Sequence, residues 1–278
     1  MVDEPIPVEV IPRGGLGRSV GRRLRDWIPA AAVLVLGLVI WQEAIRVFHI
    51  QRFLLPKPTS IASQFWDDRS NLWHAGWFTF QEALGGFLIG SGLAVLLALV
   101  VARWKPLGRA LLPYAIAANA IPIIAFAPIM NAWFSPLSKS SKMAVAAVLC
   151  FFPVFVNMVR GLTSVRPQSL ELMRSYAAGE IEVFRRVRVP NALPYLFTAL
   201  KVASVLAMIG AIVGEYFGGS LDALGVQIKD SVLESRYEEG WAAILVASIL
   251  GIAFYLAIVA VERVAISWHP SIRQKEGE

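Results

Sequence analysis

Five stretches of the sequence contain no Asp, Glu, Lys or Arg, and they restrict the fold more than any other feature. They are Trp27–Gln42, Ala83–Ala102, Ala110–Ser138, Met143–Val159 and Gly240–Val261. A sixth apolar stretch, Tyr195–Phe217, is interrupted only by Lys201 and Glu215. A membrane-spanning helix needs about 20 mostly apolar residues, and its backbone must bond internally. The sequence therefore predicts an all-α membrane protein with six transmembrane helices.

Composition excludes the main alternative, in which these stretches are buried helices of a large soluble core. Hydrophobic residues make up 56% of the 278 positions and charged residues only 17%, whereas soluble domains carry about 25% charged residues. The chain therefore lacks the polar shell that six buried helices would need. Its single cysteine, Cys150, excludes an intrachain disulfide framework and a cysteine-based metal cluster.

Lys and Arg are divided unevenly between the two sides of the predicted bundle. The N-terminal tail, the loops after the second and fourth apolar stretches and the C-terminus hold 17 of them, and the three opposite loops hold eight. The positive-inside rule then places both termini in the cytosol. The sequence predicts a cytosolic tail at 1–26, without the pattern of a cleavable signal, a transmembrane domain at 27–267 with an inner loop at 160–194, and a cytosolic tail at 268–278.

Two patterns concern packing rather than chemistry. Glycines four residues apart let helix backbones approach closely, and they occur at Gly86 and Gly90 and again at Gly210, Gly214 and Gly218. A short amphipathic helix is predicted after the first apolar stretch, either on the membrane surface or packed on the bundle. Its apolar residues are Ile61, Phe65, Trp66, Leu72 and Trp73.

The inner loop at 160–194 is patterned in a way that ordinary connections are not. Gln168–Ala178 predicts one helix, Gly179 breaks it, and Glu180–Val187 predicts a second, which Pro190 is expected to end together with Pro194. A helical hairpin with apolar side chains facing the cytosol requires a partner groove. The apolar residues on its faces are Leu170, Met173, Ala177, Ile181, Phe184 and Val187.

The same loop resembles the EAA loop of the inner-membrane permease subunits of ATP-binding cassette importers. That motif runs Glu-Ala-Ala, three residues, Gly, nine residues, Ile-x-Leu-Pro. With Pro190 on the final proline, Glu171 takes the place of the motif's Glu and Ala177 that of its Gly. The sequence departs from the motif at Leu172 and Met173, which replace the two alanines.

A wider resemblance covers residues 50–272 and is to the branch that imports nitrate, sulfonates, taurine, bicarbonate and thiamine-related pyrimidines. It rests on the sequences LPKP at 55–58, MRSY at 173–176, VPNALP at 189–194, Gly-Glu at 214–215 and Trp-His-Pro at 268–270. The resemblance implies a multi-pass protein of the bacterial inner membrane. It also implies a homodimer of six-helix subunits with two cytosolic ATPase subunits and an extracytoplasmic substrate-binding protein. It implies a small organic anion or nutrient as the substrate, such as a sulfonate, taurine, nitrate or a pyrimidine-like compound, and does not single out one of them.

The resemblance assigns the inner loop to ATPase coupling. The candidate coupling residues are Leu170, Glu171, Met173, Arg174, Ala177, Gly179, Ile181, Phe184 and Pro190. Candidates for the translocation path come from the proline-bent third and fourth stretches and from the fifth, since freed carbonyls often line such paths. They are Asn119, Asn131, Phe151, Phe152, Phe155, Asn157 and Glu215. Interhelical hydrogen bonding is the alternative role for the three asparagines.

Two charges within the fifth apolar stretch need separate interpretation, because an ion at a helix centre costs about 2.5–3.5 kcal/mol. Lys201 is expected to reach the inner interface with its long side chain. Glu215 faces an outer vestibule, pairs with a charge or lies among lipid headgroups, and the sequence leaves these three open.

Catalytic chemistry is not apparent in the sequence. It contains no Gly-Lys dipeptide and hence no Walker A loop, so ATP is expected to be bound by partner subunits, with no cofactor or metal in this chain. Its three histidines are too far apart in the sequence to suggest a metal site or a nucleophile–base pair. The excess of basic residues follows membrane topology, so no nucleic-acid partner is expected. The alternatives are a permease for polar amino acids or a metal chelate, an ATP-independent secondary transporter or channel, and a membrane enzyme.

Overall fold

A computed structural model of the chain describes residues 16–118 and 122–266, and all regular secondary structure in these ranges is helical. The prediction of an all-α protein is therefore confirmed. The chain divides into two compact units, 1–60 and 61–278. The helices are α1 (Leu16–Val47), α2 (Pro58–Asp67), α3 (Arg69–Arg103), α4 (Lys105–Ala118), α5 (Ile123–Phe134), α6 (Lys139–Thr163), α7 (Pro167–Ser175), α8 (Glu180–Val183), α9 (Val189–Tyr216), α10 (Leu224–Leu233) and α11 (Tyr237–Ala265).

Four helices of the described ranges are long and apolar enough to cross a membrane. They are α3, α6, α11 and a continuous helix of 37 residues, Glu180–Tyr216, that contains α8 and α9. A shorter apolar helix occupies Ile124–Phe134. The total of six transmembrane helices stays a prediction.

The third predicted helix, Ala110–Ser138, is divided in the structure into α4 and α5. Pro122 precedes α5 in an extended conformation, with φ −63° and ψ 115°. Proline cannot donate the helical hydrogen bond and disfavours helical geometry in the residue before it, so the interruption predicted for this stretch is found at Pro122. Pro128 is accommodated inside α5.

The predicted surface helix at 61–73 also differs from the structure. Helix α2 ends at Asp67, and α3 begins two residues later at Arg69. Leu72 is buried in α3 and packs with residues of α10 and α11. The amphipathic pattern therefore joins the residues of two separate helices.

The main core is formed by α3, α6 and α9, which pack against one another over most of their lengths. Small residues set the distance between them. Gly86 of α3 and Gly210 of α9 both lie against Ala146 of α6, and Gly90 of α3 lies against Ala147. The predicted packing role of these glycines is confirmed. Phe254 adds α11 to this core through edge-to-face contacts with Phe80 and Phe87.

In the first unit, the segment after α1 folds back along the helix. The side-chain amide Nε2 of Gln42 donates to Oγ1 of Thr59 at 3.3 Å. This bond fixes the start of α2 relative to the end of α1.

Candidate functional site

Helix α7, in the predicted coupling loop, ends in a tight left-handed turn at Ala177. The backbone N–H of Ala177 donates to the carbonyl of Arg174 at 2.9 Å, and that of Ala178 donates to the carbonyl of Met173 at 3.0 Å, which is the Schellman pattern of a helix C-terminus. Ala177 has φ 54°, a conformation that glycine adopts without strain and alanine does not. The structure thus gives a physical reason for glycine at this place in the EAA motif.

Several side chains of this segment are exposed and apolar. Ile181 is 85% exposed and Tyr176 is 75% exposed, and Leu172 is also exposed. Sequence reasoning missed Leu172 and Tyr176, because the apolar face was counted from Leu170. The two are four residues apart and therefore lie on one face of the segment, a spacing that the sequence already contains.

The other coupling candidates differ in how far they reach the surface. Glu171, Arg174, Ala177 and Gly179 are exposed, and Leu170, Met173, Phe184 and Pro190 are half-buried. Phe184 packs against the main core. Exposed and anchored residues alternate along the segment, so one part of it is free for a partner while another part is fixed to the bundle.

The predicted end of the second loop helix at Pro190 is wrong, because the helix continues from α8 into α9. Phe184–Arg188 forms one π-helical turn, and the N–H of Val189 donates to the carbonyl of Phe184, five residues back. In a π turn each backbone N–H donates to the carbonyl five residues back instead of four. Pro190, which has no N–H to donate, directly follows this turn. The proline is therefore accommodated in the first turn of α9.

The start of α9 is fixed to the end of α6. Asn191 donates from Nδ2 to the carbonyl of Gly161 at 2.7 Å, and Gly161 lies directly against the backbone of Ala192. An ion pair of 2.9 Å between Arg103 and Glu180 connects the end of α3 to the start of α8. The coupling segment, residues 167–188, is therefore joined to α3 at Glu180, and the two core helices that flank it, α6 and α9, are fixed to each other.

A buried polar cluster lies at the other end of α9, where Glu215 is fully buried. Its Oε2 accepts a hydrogen bond of 2.8 Å from the N–H of Gly225, and Oγ1 of Thr79 accepts one of 3.1 Å from the N–H of Leu224. These are the first two residues of α10, whose preceding residue, Ala223, provides no side-chain cap. Residues of α3 and α9 thus cap α10 in place of a local N-cap, and a carboxylate is favoured at such a helix N-terminus.

Two further charges belong to this cluster. Glu82 of α3 and Lys142 of α6 are each 1% exposed, and both are near enough to Glu215 to interact with it. The ammonium group of Lys142 also donates to the carbonyls of Pro136 and Ser138, just before α6. Glu215 therefore lies inside the bundle of one subunit, near a basic side chain, and the headgroup interpretation does not apply to it.

Sequence reasoning missed Glu82 and Lys142 because each immediately precedes a charge-free stretch. The helices begin earlier, α3 at Arg69 and α6 at Lys139, so both charges lie inside helices. The apolar residues Trp77, Phe78 and Phe80 before Glu82 are a signal that extends α3 backwards, whereas the residues between Lys139 and Lys142 are polar and give no such signal for α6.

Lys201, which was expected to reach the inner interface, has a partner within the bundle that the sequence did not predict. Its Nζ forms an ion pair of 2.8 Å with Glu262 of α11, and both side chains are largely buried. The two residues are 61 positions apart, and no local pattern reveals that α9 and α11 are neighbours.

The candidates for the translocation path are placed differently from one another. Asn119 lies outside the described residues. Asn131 is buried and donates from Nδ2 to the carbonyl of Gly214 at 3.4 Å. Asn157 is half-buried and donates to the carbonyl of Pro153 in its own helix at 2.8 Å. Asn131 therefore forms the interhelical bond that the alternative expects, whereas the bond of Asn157 stays within α6.

The phenylalanines of α6 form a stacked group. The rings of Phe151 and Phe155 are 5.7 Å apart and nearly parallel, at 6°, and Phe152 contacts Phe151 edge to face. Phe155 is buried, whereas Phe151 and Phe152 are half-buried. Among the path candidates that the structure describes, those that reach the surface of a single subunit are Phe151, Phe152 and Asn157.

We expect replacement of Glu215 by alanine to destabilise the protein more than replacement by glutamine. Alanine leaves the N–H of Gly225 buried without an acceptor, which costs about 1–3 kcal/mol, whereas the glutamine amide oxygen still accepts. Apparent thermal unfolding in detergent measures the difference. Glu234→Ala, an exposed acid beside α10, is the matched control. Equal unfolding midpoints for Glu215→Ala and Glu234→Ala would contradict the capping role.

With this geometry in place, comparison with known proteins identifies the family. Residues 90–266 match the family described as the inner membrane component of binding-protein-dependent transport systems. The match covers well over half of the chain, and the chain belongs to this family. It is a membrane permease component of a transporter, as the resemblance of its inner loop predicted.

Curated relatives are permease proteins with named substrates. The riboflavin transport system permease protein of Chloroflexus aurantiacus is 32% identical over 86% of this chain and 89% of its own length. The formylaminopyrimidine transport permease protein of Halalkalibacterium halodurans is 35% identical over 83% of this chain and 92% of its own length. An aliphatic sulfonates transport permease protein of Bacillus subtilis, itself a putative assignment, is 24% identical over 91% and 92%.

Among solved structures, one chain of an amino acid ABC transporter is similar in fold. Its TM-score is 0.56, at 19% sequence identity, over 71% of this chain and 95% of the solved chain. This likeness concerns the fold alone.

Proposed function

We propose that this chain is the translocation subunit of an ATP-binding cassette importer in the bacterial inner membrane. Two copies form the path, two cytosolic ATPase subunits bind ATP, and an extracytoplasmic binding protein delivers the substrate. The observation that carries the proposal is the coupling segment 167–188. Its exposed side chains include Leu172, Tyr176 and Ile181, and its second helix, α8, continues without a break into the core helix α9.

Coupling follows from this continuity. ATP binding brings the two ATPase subunits together, and each moves the coupling segment that it holds. Because Glu180–Tyr216 is one helix, that motion reaches the polar cluster around Glu215. The cluster joins α9 to α3, α6 and α10, so the bundle opens and closes as connected helices rather than one by one.

We further propose a substrate of the pyrimidine-like kind within the branch. Two relatives above 30% identity have riboflavin and formylaminopyrimidine as their named substrates. Both are nitrogen heterocycles, and the sulfonate relative is less similar. The half-buried rings of Phe151 and Phe152, which contact each other edge to face beside the buried Phe155, offer apolar ring surface on α6. The path residues of this proposal are Asn119, Asn131, Phe151, Phe152, Phe155, Asn157 and Glu215.

Copurification tests the function. A tagged chain, expressed with the ATPase encoded beside it, is expected to retain the ATPase in detergent, and reconstituted vesicles are expected to take up labelled formylaminopyrimidine rather than taurine when ATP is present. A secondary transporter would take up substrate without the ATPase. Uptake that is independent of ATP would therefore refute the proposal.

Topology gives a second test. We expect the start of α3 to be external and α7 to be cytosolic, from the distribution of Lys and Arg. Ser70→Cys and Ser175→Cys are matched substitutions at exposed positions, made in a Cys150→Ala background. An impermeant maleimide added to sealed cells should label position 70 and leave position 175 unlabelled until the membrane is opened. Labelling of position 175 from outside would reverse the proposed orientation.

A further inference from the structure

A cavity of about 860 Å³ separates the end of α3 from the coupling segment. It is large for a surface pocket, near the upper end of the range for small-molecule sites. Its walls come from the last residues of α3 and from α7 through the π turn. The lining residues are Leu99, Val100, Ala102, Arg103, Trp104, Leu170, Arg174, Ala178, Glu180, Ile181, Val183, Phe184 and Arg188.

The lining of this cavity is divided into an apolar wall and a basic rim. The lining contains three basic residues, Arg103, Arg174 and Arg188, and one acidic residue, Glu180. Its net charge is therefore +2. Glu180 is paired with Arg103. Within residues 16–118 and 122–266, Arg174 and Arg188 form no ion pair, which leaves two guanidinium groups for an anion.

The cavity also lies at a membrane boundary. Trp104 follows the last residue of the membrane-spanning α3 and is exposed, and tryptophan is enriched at the level of lipid headgroups. Leu99 and Val100 lie one turn before it, on the hydrocarbon side. A ligand here meets apolar side chains on the membrane side and arginines on the aqueous side.

We propose that this cavity binds an anionic phospholipid of the cytosolic leaflet. Arg174 and Arg188 hold the headgroup phosphate, because guanidinium groups bind phosphate oxygens in pairs, and the acyl chains lie along Leu99 and Val100. Basic pockets between membrane helices on the cytoplasmic side are suited to such headgroups. The proposal rests on the cytosolic placement of the coupling segment in the proposed function.

A lipid in this position has a consequence for coupling. It would fill the space between α3 and the coupling segment, beside the Arg103–Glu180 ion pair. The segment would then be supported on the membrane side while its exposed face, with Leu172 and Tyr176, remains free for the ATPase. Anionic lipid content would therefore affect how firmly the segment transmits motion.

Lipid binding to the purified permease, measured by native mass spectrometry without any ATPase, tests the proposal. Dioleoylphosphatidylglycerol is expected to bind more tightly than dioleoylphosphatidylcholine, and Arg188→Gln should weaken it about fivefold, the usual contribution of one basic residue near an anionic headgroup. Arg186→Gln is the control, since Arg186 lies in the same π turn, pairs with Glu182 and is absent from the lining. It should leave binding unchanged.

Arg103→Gln gives a second variant in case Arg188→Gln does not fold. It leaves the carboxylate of Glu180 unpaired beside the phosphate and should weaken phosphatidylglycerol binding by more than fivefold. Equal binding of the two lipids, or unchanged binding in both variants, would overturn the proposal. So would competition by inorganic phosphate, which indicates a free-anion site, or loss of the lipid when the ATPase is added, which indicates a protein-covered face.

The outcome is separable from that of the proposed function. Lipid binding is measured on the permease alone, so an importer whose coupling is confirmed can still fail this test. Conversely, a permease that binds no ATPase can still bind phosphatidylglycerol selectively.

Discussion

Replacing Gly90 with alanine is expected to prevent stable packing of α3 against α6. A Cβ atom at this position would overlap the carbonyl oxygen of Ala147 and lie 2.8 Å from its Cα. These are backbone atoms of a core helix, so no rotamer change relieves the overlap and the helices must separate. We expect a cost at the upper end of the about 1–3 kcal/mol typical of overpacking, and several-fold less folded protein in the membrane.

A neighbouring glycine provides the control. Gly92 lies in the same helix, and a Cβ there has nothing within 4 Å. Gly92→Ala should be neutral or stabilising, because alanine is favoured over glycine inside a helix by about 1 kcal/mol. The measurement is the amount of monodisperse protein after detergent extraction. Similar yields for Gly90→Ala and Gly92→Ala would show that the close contact with Ala147 is not needed for folding.

Arginine at position 177 is expected to abolish ATPase coupling while the membrane fold survives. Alanine and arginine both lack glycine's freedom at φ 54°, so the substitution changes size and charge but not the backbone preference. Ala177 is exposed, and the bundle does not need it. Placing an unpaired charge in a contact that excludes water costs about 3–5 kcal/mol, which weakens association by at least about a hundredfold.

Two variants make this result specific. Ala177→Gly removes the backbone strain and keeps the position small, so it should bind the ATPase at least as well as the parent. Gln168→Arg adds the same charge at the exposed start of α7 and should have little effect. Pull-down of the ATPase and ATP-driven uptake are the measurements. Normal values of both for Ala177→Arg would show that this turn is not part of the ATPase contact.

The position of the spans was predictable from the sequence, but their ends were not. Charge-free stretches locate the apolar cores of α3 and α6, yet the helices begin at Arg69 and Lys139. A search for uncharged residues stops at the first charge, whereas a folded bundle can bury one if a partner is near. For this reason the sequence did not predict Glu82 and Lys142 as buried charges, and it left Glu215 without an identified partner.

Contacts between distant helices account for the remaining differences. The ion pair of Lys201 with Glu262 depends on α9 and α11 being neighbours, which no local pattern encodes. The left-handed turn at Ala177 was hidden too, because alanine carries no sign of it. It becomes visible only after the EAA motif places a glycine there. The apolar spacing of Leu172 and Tyr176, in contrast, was present in the sequence and was not used.

In the coupling that we propose, the helix Glu180–Tyr216 acts as a lever between the ATPase and the buried charges. Its 37 residues correspond to about 55 Å at 1.5 Å per residue, whereas the hydrocarbon core is about 30 Å thick. Roughly 25 Å of the same rod therefore projects beyond the hydrocarbon. A tilt of about 10° around the Glu215 end would sweep the Glu180 end through about 10 Å. A displacement of that size at the ATPase thus becomes only a slight rotation among the buried charges, where small movements are enough to make or break contacts.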